Sequence, residues 1–292
     1  MTDTAIEAAA LGRRFGRRRG PALDGCAFRL PAGRICAVTG PNGAGKSTLL
    51  ALAAGLLRPT EGAITVLGQS PAAARERLAH VAQNKPLHPQ LTIAGTLRLG
   101  RDLNPRRWDA RTADRIVAEG GLDPDTKIRT LSGGQRTRVA LALGKRPELL
   151  LLDEPMADLD PLARHQLMAT LMADAADRGT TVVMSSHVVA ELEGSCDHLL
   201  LLGGGRVRLA GPLDDLLAAH TLVTGRAGDS LHPHTVVESR TTGRQLTALV
   251  RPAGPLGDGL RGDRPSLEEV VLAHLRSPDA PPLLLDAREA AV

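Results

Sequence analysis

The sequence is almost devoid of aromatic rings. Its 292 residues include two Phe, one Trp and no Tyr. A groove that grips single-stranded nucleic acid stacks successive bases on aromatic side chains. This chain has no such platform, so no nucleic-acid partner is expected. Its core must be filled by Leu, Val, Ile and Ala, which reach normal packing density without rings. Cysteine is scarce as well. Cys26, Cys36 and Cys196 are scattered, odd in number and lack zinc-ligand spacing, so they read as small buried hydrophobes in a reducing compartment. No apolar run reaches the length of a membrane-spanning helix. The opening Met1-Thr2-Asp3-Thr4 has neither the basic nor the apolar segment of a signal peptide, and none is expected.

Lysine is nearly absent too: only Lys46, Lys85, Lys127 and Lys145 occur among 36 basic residues, against 32 acidic ones. With so much Ala, Gly and Leu, this looks like the codon bias of a GC-rich genome and signals no function. One basic cluster is local: Arg13, Arg14, Arg17, Arg18 and Arg19. It reads either as a solvated loop between two strands or as a contact for phosphate or anionic lipid. A hydrophobic fraction of 42% and a charged fraction of 23% fit a folded globular chain.

Along the chain, hydrophobic periodicity predicts strands at 5–15, 22–30, 34–39 and 60–69, and an apolar helix at 48–57. Residues 71–79, rich in Ala and Arg, are expected to be helical. From 84 to 130 prolines at 86, 89, 105 and 124 separate short helical stretches such as 110–120, which predicts an inserted helical subdomain. A helix is expected over 137–144. Four consecutive leucines at 149–152 read as a short buried parallel strand. A helix at 161–177 and strands at 180–184 and 198–202 follow. Beyond 217 the signals weaken into small strands over 221–250 and a helix at 266–276 with a capping-box start. The Pro- and Ala-rich tail past 278 is expected to be mobile.

Three segments carry chemistry. Gly40-Pro41-Asn42-Gly43-Ala44-Gly45-Lys46-Ser47-Thr48 has the spacing of a phosphate loop, between a buried strand and a helix. Its glycines let backbone amides surround phosphate oxygens, Lys46 reaches the outer phosphates, and Ser47 can ligate Mg2+. Asp153-Glu154, ending the leucine strand, can hold Mg2+ through the first acid and activate water through the second. Leu131-Ser132-Gly133-Gly134-Gln135 opens a helix with exposed amides and a hydroxyl, a second phosphate-binding surface. One nucleotide cannot easily use both loops of one chain if they lie on different lobes, whereas a head-to-tail dimer can.

With these three segments in this order, residues 1 to about 217 resemble the ATP-binding subunit of an ABC transporter, of the bacterial drug- and antibiotic-exporter type. The resemblance implies an α/β P-loop NTPase fold: a RecA-like core, an antiparallel β subdomain and an inserted helical subdomain at 84–130. A small α+β extension over 218–292 would complete the chain. It also implies further site residues, by position against the family motifs. Gln83 matches the glutamine that contacts Mg2+ and water and faces the membrane partner. Asp160, in Met156-Ala157-Asp158-Leu159-Asp160, falls at the dimer seam. His187 matches the switch histidine at the γ-phosphate, and Phe15 the ring under adenine. Taken singly, Gln83 would be an ordinary loop residue, His187 structural and Phe15 core.

The family then implies ATP and Mg2+ as cofactors, hydrolysis with Glu154, His187, Lys46 and Gln83 as catalytic residues, and Ser47, Gln83 and Asp153 at the metal. Its partners would be a second copy in an ATP sandwich and a separate membrane permease, placing the chain at the cytoplasmic face of the membrane. Export is favoured over import. The other readings are a hydrolysis-impaired regulatory subunit and a non-transport ATPase acting on the ribosome or DNA. Two departures from the family stand out. Gln135 and Asp153 are 18 positions apart, about two fewer than usual, which would shorten or re-register the helix after the signature loop by roughly 200° of phase. Asp158 adds a negative charge beside the site.

Overall fold

The computed structural model describes residues 3–16, 20–143, 147–189 and 192–285. The chain opens with β1 (Thr4–Arg13) and β2 (Leu23–Pro31), then β3 (Ile35–Thr39) and α1 (Lys46–Ala53). β4 (Glu61–Val66) follows, then a 3-10 turn at Ala73–Arg77 and β5 (Leu78–Val81). The expected helix at 71–79 is therefore a single tight turn running into a strand. Leu78 and Val81 are buried at the edge of the main sheet, and that tertiary pairing overrides the helical composition.

The helical insert contains α2 (Ile93–Leu103) and α3 (Ala110–Glu119), whose first turns are capped by Thr92 and Asp109. Ile93, Ile116, Val117, Ile128 and Val139 build its separate small core, with Trp108 packed against them and over Gly100. α4 (Gly133–Ala142) starts from a complete capping box between Ser132 and Gln135. It ends at Ala142; residues 144–146, in the stretch where the shortening was expected, lie outside the described residues.

β6 (Leu149–Leu152), α5 (Pro161–Arg178), β7 (Thr181–Ser186), β8 (His198–Gly203), β9 (Arg206–Pro212) and α6 (Leu213–Ala218) complete the core. Among the described residues the main sheet has seven strands in the order β14-β9-β8-β3-β7-β6-β5, where β14 is Leu283–Leu284. β3, β5, β6, β7 and β8 run parallel, and β9 is antiparallel to β8. Parallel neighbours on both sides bury the leucine run of β6, and all five residues of β3 are buried. A separate antiparallel sheet, β2-β1-β4, packs beside the core through Ile6, Leu11, Phe28 and Leu30.

The last third holds β10 (Thr221–Arg226), β11 (Thr235–Thr242), β12 (Gln245–Arg251) and β13 (Arg261–Asp263), in sheet order β11-β12-β10-β13. α7 (Leu267–Arg276), capped by Ser266 and Glu269, covers it. Val237, Leu249, Leu267, Val270 and Val271 share one hydrophobic cluster with Val182, Leu199 and Leu209 of the main sheet. The stretch past 278 differs from expectation. Leu283 and Leu284 pair with β9, and the Leu285 amide donates to the Ala210 carbonyl at 2.7 Å. Positions 286–292 lie outside the described residues. His234 is buried, and its Nδ1 accepts from the Ala253 amide at 3.2 Å. Cys26 and Cys36 are buried as expected, and burial pushes the Cys26 thiol up to about 11 and that of half-buried Cys196 up to about 12.

Candidate active site

β3 ends at Thr39, and the chain turns through 40–45 into α1 at the carboxyl end of the parallel strands, where open α/β sheets place their ligands. Gly40 and Gly45 have φ of 145° and 106°. A Cβ on Gly40 would stand 2.2 Å from the Leu202 carbonyl oxygen, and one on Gly45 2.4 Å from that of Ala22. Only glycine fits either position. Pro41, Asn42 and Gly43 are exposed at the loop tip and Ala44 is buried. Buried Lys46 curls back, and its Nζ donates to the Gly40 carbonyl at 2.7 Å and the Pro41 carbonyl at 3.3 Å. The same ammonium stands 3.7 Å from Glu154 Oε1. Thr48, half-exposed, lies in the first turn of α1.

The acids at the end of β6 are held by a residue that no motif signals. Ser185, fully buried on β7, donates from Oγ to Asp153 Oδ1 at 2.7 Å and accepts the Glu154 amide at 2.8 Å. Ser47 Oγ donates to the same Asp153 oxygen at 3.1 Å. Glu154 has φ of 49°, a left-handed conformation rare outside glycine that persists only where the surroundings enforce it. His187 Nδ1 lies 2.8 Å from Glu154 Oε2. A cavity of about 50 Å3 opens beside Glu154, Ser185, Ser186 and His187, room for a water molecule. Below the acids, burial lowers the pKa of His80, opposed by the Asp153 charge. A pair of serines, Ser185-Ser186, directly after the apolar Val182-Val183-Met184 is the one trace of this arrangement in the sequence.

Lys46, Ser47, Asp153, Glu154 and His187 are thus brought together. Gln83 is exposed two residues past β5, whose end is tied to the acids by the Asp153 amide donating to the Val81 carbonyl at 2.9 Å. Phe15 is 43% exposed, which removes it from the core, and the Arg13 guanidinium covers its ring at 4.6 Å from the centroid. In the basic cluster Arg13 also donates to the Arg58 carbonyl and Arg14 faces Glu61; Arg17, Arg18 and Arg19 lie outside the described residues.

Ser132, Gly133, Gly134 and Gln135 form the start of α4, next to the helical insert. The Gln135 amide donates to Ser132 Oγ at 3.2 Å and the Ser132 amide to Gln135 Oε1 at 2.9 Å. The segment 156–160 packs on this loop: a Cβ on Gly133 would meet Asp158 at 2.5 Å, and one on Gly134 would meet Leu159 at 2.7 Å. Asp160 caps α5 by accepting the Ala163 amide at 2.9 Å. Asp158 is directed to Lys85, with Oδ2 2.6 Å from Nζ.

A glycine loop with its lysine, a hydroxyl–carboxylate pair and a second carboxylate bonded to histidine define a P-loop ATPase. Residues 23–157 match the ABC transporter family. A daunorubicin resistance ATP-binding protein of Streptomyces coeruleorubidus is 34% identical over 96% of this chain and 98% of its own length. A molybdenum import ATP-binding protein of Paramagnetospirillum magneticum is 34% identical over 84% of this chain and 70% of its own. An ATP-binding/permease protein of Mycobacterium tuberculosis is 40% identical over 65% of this chain, which spans only 23% of that protein. Among solved structures, an ATP-binding subunit of an ABC transporter superposes with a TM-score of 0.65 at 29% identity, covering 74% of this chain and 92% of the other. The chain belongs to the ABC transporter ATP-binding family and is an ATPase of that family.

Proposed function

We propose that two copies of this chain close over two ATP molecules and that their hydrolysis drives a separate membrane permease in the direction of export, at the cytoplasmic face of the membrane. The observation that carries this is the convergence on Glu154 of Lys46 at 3.7 Å and His187 at 2.8 Å, beside the Ser47–Asp153 pair. Lys46 and the amides of 40–48 hold the phosphates. Ser47 and Asp153 are hard oxygen donors suited to Mg2+, with Gln83 approaching from the end of β5. Bound there, Mg2+ neutralises charge on the phosphate oxygens. Glu154 takes the proton of the attacking water, and His187, oriented by Glu154, steadies the γ-phosphate. Phe15 stacks on adenine by its ring face free of Arg13. Ser132, Gly133, Gly134 and Gln135 of one copy complete the other copy's site, with Asp160 at the seam.

Two observations support the permease and the direction of transport. The helical insert carries an open groove of about 500 Å3 lined by Leu97, Trp108, Val117 and Leu122, and this is the surface on which the permease would dock. The daunorubicin resistance relative matches nearly end to end, extension included, whereas the importer covers less of this chain. The test is the mass of Glu154→Gln with Mg-ATP by light scattering. A dimer that forms with ATP and not with ADP is expected, and a chain that stays monomeric at saturating ATP would remove the sandwich from the proposal.

A further inference from the structure

The segment after Gln83 contains a buried cation that the site chemistry does not use. Lys85 sits in a left-handed turn with φ of 41°, its amide donating to the Ala82 carbonyl at 2.9 Å and its carbonyl accepting the Leu87 amide at 2.7 Å. The turn folds the side chain inward, where it is only 4% exposed. Its Nζ meets Asp158 Oδ2 at 2.6 Å, and Asp158 itself is 54% exposed. An ammonium this desolvated is costly to bury unless a carboxylate faces it. The pair is therefore asymmetric: the lysine needs the aspartate more than the reverse.

Asp158 touches a second loop through its carbon atoms. Its Cβ and Cγ lie over Gly133, so close that a Cβ there would approach them at 2.5 and 2.8 Å. Leu159 packs likewise over Gly134. The segment bearing Asp158 is rigid, because the Leu159 amide donates to the Met156 carbonyl at 3.1 Å and Arg164 Nε to the Leu159 carbonyl at 2.8 Å. One aspartate thus joins the turn that follows Gln83 to the start of α4.

We infer that Lys85 is a positioning residue: through Asp158 it fixes the Ser132–Gln135 loop relative to the Gln83 turn, so that a displacement of either is passed to the other. The inference rests on the proposed role of 132–135 at the partner's nucleotide, and it adds a cation from outside every motif and gives Asp158, the unusual charge of the 156–160 segment, a role. When the bridge is broken, the chain still binds ATP through its own phosphate loop, but the surface it offers to the second copy loses its register. The loss therefore falls on turnover of the dimer and spares nucleotide affinity of the single chain.

The experiment uses the full chain with Lys85→Met, Asp158→Asn and the double variant. Hydrogen exchange of 131–137 is followed without nucleotide, with β3 as internal control. Exchange of 131–137 should rise by about tenfold in both single variants while β3 is unchanged. Fluorescent-ATP affinity should stay within about twofold and kcat should fall by about tenfold. The double variant should be no worse than Asp158→Asn, because no buried charge is left unpaired. Unchanged exchange at 131–137 in a folded Lys85→Met overturns the positioning role, whether or not the wild type hydrolyses ATP. So does a kcat loss that simply adds across the two substitutions. A wild type without turnover, but with the exchange response intact, refutes the ATPase reading of the site and leaves the bridge standing. Asp158→Asn carries the same comparison if Lys85→Met fails to fold.

Discussion

Ser185→Ala removes one hydroxyl and little volume, yet it breaks both hydrogen bonds that tie Asp153 and Glu154 to Ser185 of β7. The Asp153 carboxylate loses a donor at 2.7 Å, and the buried Glu154 amide loses its acceptor at 2.8 Å. A hydrogen bond to a charged group contributes about 1.5–3 kcal/mol, and an orphaned buried amide costs about 1–3 kcal/mol. Because Asp153 retains Ser47 Oγ at 3.1 Å, the lower halves of these ranges apply, and the total is about 3 kcal/mol. For a chain of this size that lowers Tm by roughly 5 °C. Glu154 is also held in its left-handed conformation at φ 49° partly by the amide bond to Ser185. Its release lets the carboxylate leave His187, so kcat should fall by about tenfold or more even well below Tm. Thermal unfolding by circular dichroism, with a parallel ATPase assay at low temperature, reads both effects. A Tm within about 2 °C of wild type, together with unchanged kcat, would refute the view that Ser185 organises the acids.

Phe15→Ala should weaken ATP binding by about 1–3 kcal/mol if the exposed ring stacks on adenine, measured by titration calorimetry; unchanged affinity would leave the ring as a platform for Arg13 alone. Gly40→Ala should abolish nucleotide binding, because its Cβ would lie 2.2 Å from the Leu202 carbonyl, and a variant that binds normally would contradict the close approach. The buried pair His220–His274, joined Nε2 to Nε2 at 3.0 Å, should make the chain acid-sensitive. Burial lowers both pKa values, that of His274 to about 3, so the unfolded chain takes up protons first as pH falls below the ordinary 6.5. Stability is therefore full above about 6.5 and declines as pH falls below it, by up to about 1.4 kcal/mol per pH unit for each histidine, the His274 part continuing down to about 3. Urea unfolding between pH 7.5 and 5 measures the slope, and His220→Leu/His274→Leu should flatten it.

Much of the site was legible because phosphate chemistry constrains the backbone. Gly40, Gly45 and Lys46 are dictated by how closely amides must approach an anion, and the leucines of β6 by burial on both faces, so both show in composition and spacing. Ser132 and Gln135 were legible as a helix start for a similar local reason. Ser185 was not, since its role depends on β6 and β7 lying side by side, and a serine in a strand looks the same wherever it points. The Lys85–Asp158 bridge spans 73 positions, so only the fold brings the two charges together. β5 was masked by its neighbours: Ala73–Arg77 has helical composition, and the strand after it is four residues long and stabilised by pairing with Leu149–Leu152.

In the function proposed above, Glu154 activates water for ATP hydrolysis in a site built by Lys46, Ser47, Asp153 and His187. Steady-state phosphate release by the purified chain with Mg-ATP, compared between wild type and Glu154→Gln, tests it most directly. Wild-type turnover with near-complete loss in Glu154→Gln and unchanged ATP affinity is the expected result. Equal rates in the two proteins would contradict the claim.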